Sequence, residues 1–394
     1  MIDEASVPTP ISPAKLPGSE TCVLEFNPDG HHLAYVEILI RFLWQKTGQK
    51  TLFLTSAGVP ESEGYGIYLG SIQERFEMQA EHNISAGKGS RMWRQFFPIL
   101  TALKKLRERG IRRVYVPTGD EFALILGLAR LLGLGPKGLE IRCGLLLLPL
   151  AYPTSSRLRR FKRRLFLWLQ RKSGATLLCF DSHAVEILRR EFGIALETVP
   201  DPMLASGDHS PAPTVPSPRP PTETLCLGTI GFFDHRKGVD LLLDAFQRAR
   251  FKRPVKLLLA GRVNDPILTR KLMEAGIVEG GKIQTVNRVL STEEYAAALG
   301  EIDVLCLTYR SHVGPSGVYA QAAARGKIIV ASDYGWLGWE GKNYNKSFFF
   351  KDQSLASLIE CLEETVSDFD SLDGLAGNYF PTTEEDFTKV FCSA

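Results

Sequence analysis

Two clusters in the C-terminal half combine glycine, hydroxyl and basic residues in a way that suits phosphate binding. The first is Gly228-Thr229-Ile230-Gly231, which is followed by Arg236, Lys237 and an amphipathic stretch. Glycines at the end of a strand let backbone N–H groups approach a phosphate, and the next helix adds positive potential at its N-terminus. Gly231, Arg236 and Lys237 are therefore candidate anion-binding residues. The alternative is a strand-to-helix turn with solvated basic side chains.

The second cluster has the sequence SHVGPSG and lies between the apolar stretch DVLCLTY and a helical stretch that contains Gln321. Small residues at a helix start leave its N–H groups accessible, and Ser316 can cap the helix and donate to a diphosphate. Ligands of open parallel sheets bind at the carboxyl ends of the strands. Pro315, Ser316, Gly317 and Gln321 therefore join the candidate site, with a simple serine N-cap as the alternative.

These clusters lie in a regular alternation of short apolar runs and longer amphipathic runs. The pattern starts at Thr21 with TCVLEF, continues through a helix from about His31 to Lys46, and includes the apolar run Gly144–Tyr152, which we interpret as a buried strand. Continuously apolar strands that alternate with helices indicate a parallel sheet covered on both faces. The predicted fold class is α/β.

A proline-rich segment divides this alternation into two parts. Residues 205–222 contain six prolines among Ser, Thr and Ala, a composition that favours an extended linker. A chain of 394 residues is also long enough for two domains. We predict a disordered tail at 1–20, Rossmann-like doubly wound domains at 21–204 and 223–394, and a linker at 205–222.

Composition excludes several classes of protein. The chain is 44% hydrophobic and 23% charged with a net charge of +3, which is typical of a globular protein and not of a dedicated nucleic-acid binder. Its seven cysteines include no CxxC pair, so they predict neither a zinc site nor a disulfide framework. The first twenty residues lack the features of a secretory signal, and no apolar run reaches the length of a membrane span. We expect a cytoplasmic protein.

The stretches GTIGFFDHRKGVDLLLDAF, VKLLLAGR and GPSGVYAQAAARGKIIVASDYGWLG resemble the C-terminal half of retaining glycosyltransferases of family 4. The resemblance implies the glycosyltransferase B type of fold, with two Rossmann-like domains facing a cleft. In that family a Gly-Arg-x4-Lys-Gly segment holds the donor diphosphate, and a Glu-x7-Glu segment contacts the donor sugar and ribose. By this alignment Arg262, at the end of VKLLLAGR, also joins the donor side.

The alignment shows departures from the family as well as matches. Lys237 stands at the family's lysine, but Phe232 occupies the arginine position, and Val313 and Gln321 replace the paired glutamates. Gln321 can still hydrogen-bond ribose hydroxyls, whereas Val313 cannot hydrogen-bond a sugar. The chain therefore resembles a divergent branch of the family.

Polar residues after the first strand are candidates for the acceptor side. Asp29, Gly30, His31 and His32 form a loop at the end of TCVLEF, where the resemblance places the acceptor, and Asp120 follows the strand RRVYVP. The alternatives are an Asp-Gly turn for the loop and a charged helix start, with Glu121, for Asp120.

The segment Arg157–Lys172, RLRRFKRRLFLWLQRK, contains eight Lys or Arg residues and an apolar stripe. The stripe consists of Leu158, Phe161, Leu165, Phe166 and Trp168. Such a helix suits docking on anionic lipid, which would fit a lipid-linked acceptor and a peripheral location on the inner face of the membrane. The alternative is that the stripe packs on the sheet. RNA binding through the same arginines is less favoured, because the sequence predicts no sheet with aromatic residues on which bases could stack.

The resemblance implies transfer of a sugar from a nucleotide-diphosphate sugar to a hydroxyl acceptor in polysaccharide or glycolipid assembly, with retention. His31 and Lys237 are the candidate catalytic residues. We expect no cofactor and no metal, with the nucleotide sugar as co-substrate, and no nucleic-acid partner. Two alternatives stay open: a non-catalytic sugar-nucleotide-binding or scaffold protein, and a sugar-nucleotide epimerase, for which His235 and His312 are the only donor-side histidines.

Overall fold

A computed structural model describes most of the chain as two compact units. The described residues are 20–27, 32–82, 84, 92–146, 152, 157–202, 223–274, 281–379 and 382–393. The first unit comprises the described parts of 1–143 with 169–176, and the second those of 144–168 with 177–394. The predicted tail, apart from Glu20, and the predicted linker lie outside the described residues, so the domain bounds 21–204 and 223–394 stay predictions.

The N-terminal half contributes a seven-stranded sheet in the order β3-β2-β1-β4-β5-β6-β7. Its strands are β1 (Thr21–Glu25), β2 (Thr51–Ser56), β3 (Phe76–Glu81), β4 (Arg113–Val116), β5 (Glu140–Leu145), β6 (Thr176–Cys179) and β7 (Glu197–Thr198). Its helices are α1 (His32–Thr47), α2 (Met92–Glu108), α3 (Asp120–Leu131), α4 (Arg157–Lys172) and α5 (Ser182–Phe192). The strands pair in parallel, with Val23 of β1 between Phe53 of β2 and Tyr115 of β4.

The C-terminal half contributes a six-stranded sheet in the order β10-β9-β8-β11-β12-β13, also with parallel pairing. Its strands are β8 (Leu225–Ile230), β9 (Val255–Ala260), β10 (Ile283–Val286), β11 (Val304–Leu307), β12 (Ile328–Ser332) and β13 (Ser347–Phe350). Its helices are α6 (Val239–Arg248), α7 (Pro266–Glu274), α8 (Thr292–Glu301), α9 (Gly317–Ala324), α10 (Gly335–Glu340), α11 (Leu355–Ser367), α12 (Phe369–Asp373) and α13 (Glu384–Phe391).

The second sheet is buried on both faces, as its apolar strands predict. Along β8, Leu225 and Leu227 belong to one hydrophobic cluster, whereas Cys226 and Ile230 belong to another. Successive side chains of a strand point to opposite faces, so a strand buried on both sides must be apolar at every position. The α/β class with two Rossmann-like sheets is confirmed.

Strand order fixes where ligands can bind. After β8 the chain moves to β9 on one side of the sheet, and β11 pairs on the other side of β8. The first sheet has the same arrangement around β1, with β2 and β4 as neighbours. Such reversals leave a crevice at the carboxyl ends of the strands. The segments after β8 and β11, and those after β1 and β4, are therefore the expected ligand-binding segments.

One predicted strand is wrong in its position. The apolar run Gly144–Tyr152 is predicted as a strand, but β5 begins at Glu140 and ends at Leu145, and residues 147–151 lie outside the described part of the chain. Pairing with β4, which sets Arg113 opposite Glu140, determines the start of β5 more than hydrophobicity does. Strand β3 was not predicted, because its sequence, FEMQAE, shows no apolar run. Its pairing with β2 places it in the sheet.

Candidate functional site

The segment after β8 turns tightly before it enters α6. Gly231 has a φ of +118° and Gly238 a φ of +62°, values that glycine adopts without strain. Between them, the Asp234 carboxylate accepts a 3.0 Å hydrogen bond from the Lys237 backbone N–H and caps a 3₁₀ turn over His235–Lys237. A Cβ atom at Gly238 would lie 2.0 Å from the Thr308 carbonyl oxygen. This turn is therefore packed directly against the chain that follows β11.

The segment after β11 ends at the start of α9. Ser316 is the N-cap of that helix, and its Oγ accepts a hydrogen bond of 3.3 Å from the Tyr319 backbone N–H. The cap is nearly buried, with Ser316 5% exposed. Pro315 and Gly317 flank it in the chain, so all three predicted residues lie at one helix start. Since α9 has eight residues, its first N–H groups carry the usual positive end of a helix dipole.

Tyr309 joins the two segments. The Lys237 ammonium donates a hydrogen bond to the Tyr309 hydroxyl and lies 4.0 Å from the centroid of its ring. The same hydroxyl is 3.4 Å from the Ser316 Oγ. Tyr309 is buried, and Lys237 is half-buried. Lys237 and Ser316, which are 79 positions apart in the sequence, therefore contact one tyrosine hydroxyl.

Arg236 and His312 lie beside this tyrosine. An Arg236 guanidinium nitrogen, Nη1, is 3.0 Å from His312 Nδ1, and the His312 ring is edge-on to the Tyr309 ring at a centroid distance of 4.9 Å. Arginine only donates hydrogen bonds, so Nδ1 accepts and the proton of the neutral imidazole is on Nε2. Burial, with Arg236 and Lys237 nearby, lowers the pKa of His312 to about 3. His312 is therefore neutral at physiological pH.

Arg236 and Lys237 supply positive charge beside Tyr309. Arg310 is neutralised, because its Nη2 donates to the Asp240 carboxylate at 2.7 Å and its Nη1 donates to the His235 carbonyl. Arg236 is 3.7 Å from the carboxylate of Asp234, while Lys237 forms no ion pair with any residue in the described part of the chain. We call Arg236, Lys237, Tyr309, His312 and Ser316 the cationic cluster.

A buried carboxylate that was not predicted holds the loop of this cluster. Asp181, fully buried in the second unit, accepts hydrogen bonds from the Gly314 N–H at 3.1 Å and the Ala184 N–H at 2.9 Å. The Tyr152 hydroxyl donates to it at 2.6 Å. Burial raises the pKa of Asp181, although the three donors oppose this effect. Its position after a buried strand and before a helix is the sequence signal of an N-cap, but not of a contact with Gly314.

The other predicted donor residues are less closely connected to the cluster. Arg262 follows β9 and is exposed; its carbonyl accepts from the Phe233 N–H, next to the turn after β8. Gln321 lies in the second turn of α9 and is partly exposed. Among the described contacts, neither side chain bonds to the cationic cluster.

The corresponding edge of the first sheet carries a different set of side chains. Glu25, the last residue of β1, accepts from the Phe26 and Asn27 N–H groups at 2.9 Å, and the Thr118 hydroxyl donates to its other oxygen. His32 Nδ1 is 2.7 Å from the Thr118 oxygen, and His32 Nε2 is 3.0 Å from the Asn27 amide nitrogen. We call Glu25, Asn27, His32 and Thr118 the hydroxyl network.

Of the predicted acceptor residues, the structure places two. His32 belongs to the hydroxyl network, and Asp120 is the first residue of α3, two positions after Thr118. Asp29, Gly30 and His31 lie outside the described residues. Sequence reasoning missed Glu25 and Thr118; a carboxylate at the end of the apolar strand TCVLE was the signal for the first.

Two cavities lie away from both sets of side chains. One, of about 270 Å³, is lined by Phe348, Phe349 and residues of α11, and the other, of about 400 Å³, by residues of α2 and the loop 133–137. The described part of the chain contains no group of three or more His, Cys, Asp or Glu side chains that could hold a metal ion. The seven cysteines are all buried and free.

Comparisons with known proteins agree with this architecture. Residues 224–368 match the family model described as Glycosyl transferases group 1. No curated protein sequence matches the chain. Among solved structures, the fold is similar to that of sucrose-phosphate synthase from Thermosynechococcus elongatus, with 14% identity, a TM-score of 0.61 and 94% of each chain covered.

Two other similar structures are HepE from Anabaena in complex with UDP and the lipopolysaccharide outer core galactosyltransferase WaaB in its apo form. HepE has 12% identity and a TM-score of 0.59 over 94% of each chain. WaaB has 14% identity and a TM-score of 0.58, with 90% of this chain and 93% of WaaB covered. These likenesses confirm the predicted glycosyltransferase B type of fold. The resemblance to glycosyltransferases is confirmed as well, whereas the retaining family 4 subtype stays a prediction.

Proposed function

We propose that this protein is a glycosyltransferase that moves a sugar from a nucleotide-diphosphate sugar to a hydroxyl acceptor. The observation that carries the proposal is the cationic cluster, in which Lys237 and Ser316 contact one tyrosine hydroxyl at the switch between β8 and β11. The segment 224–368, which contains the whole cluster, matches a glycosyltransferase family.

In this proposal the donor diphosphate lies against Lys237, Arg236 and the first N–H groups of α9. Lys237 supplies a point charge, and Arg236, already fixed by His312, presents a planar set of donors suited to phosphate oxygens. The helix start adds backbone donors at Ser316 and Gly317, next to Pro315. Gly231 allows the backbone to approach the ligand, and Arg262 and Gln321 complete the donor side.

The same groups would stabilise the charge that develops on the departing diphosphate, with Lys237 as a catalytic residue. No cofactor or metal is part of the proposal, because basic side chains and a helix start supply the positive charge. We propose retention, with the departing phosphate accepting the acceptor proton. Val313 lies where a carboxylate would contact the donor sugar, so sugar recognition must rely on other groups.

On the acceptor side the proposal keeps His31 as a catalytic residue, with Asp29, Gly30, His32 and Asp120 as contacts. The hydroxyl network supports this assignment, since it consists of groups that exchange hydrogen bonds with hydroxyls. We extend the proposal to a lipid-linked acceptor and to a cytoplasmic protein at the inner face of the membrane. No helix in the described part of the chain is long and apolar enough to cross a bilayer.

A non-catalytic sugar-nucleotide-binding protein is the second candidate. The absence of carboxylates at positions 313 and 321 favours it, because these positions would contact the donor. An epimerase is less well supported: His312 is neutral and hydrogen-bonded through Nδ1 to Arg236, so this nitrogen is not available for proton transfer.

A thermal-shift screen against nucleotide sugars tests binding, and product analysis with the best donor tests transfer. A ligand at about 100 times its Kd stabilises the folded protein by about 2.7 kcal/mol, which is a readily measured shift. Binding with transfer or slow donor hydrolysis supports the enzyme. Binding without either reaction, over a panel of acceptors, supports the second candidate, and no binding to any nucleotide sugar contradicts both.

A further inference from the structure

Helix α4 exposes the apolar stripe that a helix on a sheet normally buries. Four large hydrophobic side chains of this helix are strongly exposed: Leu158 63%, Phe161 65%, Leu165 40% and Trp168 44%. Their spacing of three, four and three residues puts them on one side of the helix. The alternative that this stripe packs on the sheet is therefore wrong for these four residues, and only Phe166 of the predicted stripe is partly buried.

The opposite side of α4 is the buried one. Arg163, Leu167 and Gln170 are 7%, 4% and 3% exposed, and their spacing of four and three residues defines a second stripe. Gln170 donates a hydrogen bond of 3.2 Å to the Asp120 carbonyl, and a Cβ atom at Gly127 would lie 1.9 Å from the Leu169 carbonyl oxygen. The helix is thus anchored through a mainly polar face, and its apolar face points to solvent.

Exposed basic side chains flank the apolar stripe. Arg157, Arg164 and Arg171 recur every seven residues along one edge of the stripe, and Lys162 lies on the other edge. The helix contains no Asp or Glu. An apolar stripe between two basic edges is the arrangement of a helix that lies in the plane of a membrane interface, with aromatic residues inserted and cations at the headgroups.

We infer that α4 docks the protein onto a membrane surface rich in anionic lipid, with Leu158, Phe161, Leu165 and Trp168 inserted below the headgroups. A folded acidic partner would satisfy the cations, but it would need an apolar groove as long as the helix, roughly 24 Å for sixteen residues. A bilayer interface provides anionic headgroups for the cations and an apolar layer for the stripe, and it does so over the whole length of the helix. RNA would pair with the cations and leave the aliphatic side chains Leu158 and Leu165 in water.

Docking does not depend on the donor chemistry. Only its purpose, which is to bring the site to a lipid-linked acceptor, rests on the proposed function. The membrane-docking inference and the proposed transferase function can therefore be tested separately. Vesicle binding is measured without nucleotide sugar, and donor binding is measured without vesicles.

The experiment is cosedimentation of the full chain with vesicles of phosphatidylcholine alone or mixed with phosphatidylglycerol. Arg164→Glu/Arg171→Glu should weaken binding to the anionic vesicles by roughly 30-fold or more, because each basic residue at the surface contributes about 1 kcal/mol and reversal removes more than neutralisation. Arg270→Glu/Lys282→Glu is the matched control, since it changes the net charge equally at exposed positions of the second unit and should have little effect.

The apolar stripe is tested by Phe161→Ser/Leu165→Ser, which should weaken binding at least about tenfold. Ile67→Ser, at another side chain that is 64% exposed, is its control. Arg163 is unsuitable for charge reversal because it is buried. Unfolding temperatures of all variants near that of the wild type ensure that lost binding is not lost folding.

Trp168 gives a signal of insertion. Its fluorescence should shift to shorter wavelength on anionic vesicles, and Trp168→Phe should lose most of the shift while retaining binding. Equal binding to neutral and anionic vesicles, equal loss in the matched controls, or stronger binding of single-stranded RNA than of vesicles would overturn the inference.

Discussion

The carboxyl edges of the two sheets have the same strand arrangement but opposite chemistry. In the second sheet, Arg236 and Lys237 contact aromatic and imidazole groups, and only Arg236 lies near a carboxylate. In the first sheet, the carboxylate of Glu25 is buried and accepts hydrogen bonds from a hydroxyl and two backbone N–H groups. We propose that the edge of the second sheet binds the anionic donor and that the edge of the first sheet binds the hydroxyl acceptor.

Strand order indicates where ligands of such sheets bind, and we propose that the residues after each strand determine which ligand it is. The cationic cluster combines two basic side chains with a tyrosine, a histidine and a serine, whereas the hydroxyl network combines a carboxylate, an amide, an imidazole and a hydroxyl. The two edges should consequently respond to different substitutions.

The largest expected effect is that of Asp181→Ala on stability. The substitution leaves the Tyr152 hydroxyl and the Gly314 and Ala184 N–H groups without their acceptor, which should destabilise the protein by about 3 kcal/mol. It should also weaken nucleotide-sugar binding, because the loop of the cationic cluster loses its anchor. Asp181→Asn, which keeps an acceptor oxygen, should retain most of both properties. Urea denaturation and donor titration measure the two effects; unchanged donor affinity in a folded Asp181→Ala protein would separate Asp181 from the cluster.

The second prediction concerns acid sensitivity at His312. Its folded pKa of about 3 is below the value of about 6.5 in an unfolded chain, so between these values the unfolded state binds one more proton. Stability is therefore lost as pH falls from about 6.5 toward 3, and at pH 5 the loss from this group should be about 2 kcal/mol. His312→Asn accepts from Arg236 but does not titrate, so it should lose about that much less between pH 7 and pH 5. Equal losses in urea denaturation would mean that His312 is not held neutral.

The third prediction tests the first sheet. Glu25→Gln keeps the shape of the side chain but removes the charge that orients Thr118 and His32, and it should lower kcat at least about tenfold. The donor Kd should not change, because the cationic cluster belongs to the other sheet. Steady-state kinetics and calorimetry give the two values. A weakened donor Kd would show that the two edges are not chemically independent.

The smallest effect is expected for Ser316→Ala. The helix N–H groups remain, so donor binding should weaken only a few-fold, while loss of the cap costs about 1 kcal/mol of stability. Ser291→Ala removes the cap of α8 and is the matched control, with a similar stability loss and no change in donor affinity. If both variants bind the donor as the wild type does, Ser316 is only a cap.

The sequence predicted well the features that depend on neighbouring residues. Helix α4 has its predicted bounds, Ser316 caps α9, and the glycines of the turn after β8 have the positive φ values that the turn requires. Each of these follows from periodicity or from the conformational preference of a single residue type.

Features that depend on distant residues were not predictable in the same way. In the sequence Tyr309 is only the end of an apolar strand, and its contact with Lys237 depends on the fold. The sequence around Asp181 predicts an N-cap, but not its hydrogen bond with Gly314, which is 133 positions away. Similarly, the stripe of α4 suits either a core or a membrane, and only its exposure in the folded protein distinguishes them.

We propose that the edge formed after β8 and β11 binds a nucleotide-sugar diphosphate through Lys237. Calorimetric titration of a nucleotide sugar identified by the thermal-shift screen tests it in three proteins: wild type, Lys237→Ala and the control Lys282→Ala. Loss of a charge-assisted contact with phosphate, about 1.5–3 kcal/mol, predicts a Kd raised roughly ten- to hundred-fold in Lys237→Ala and no change in the control. A Lys237→Ala protein that binds the nucleotide sugar as tightly as the wild type would contradict this assignment of the donor site.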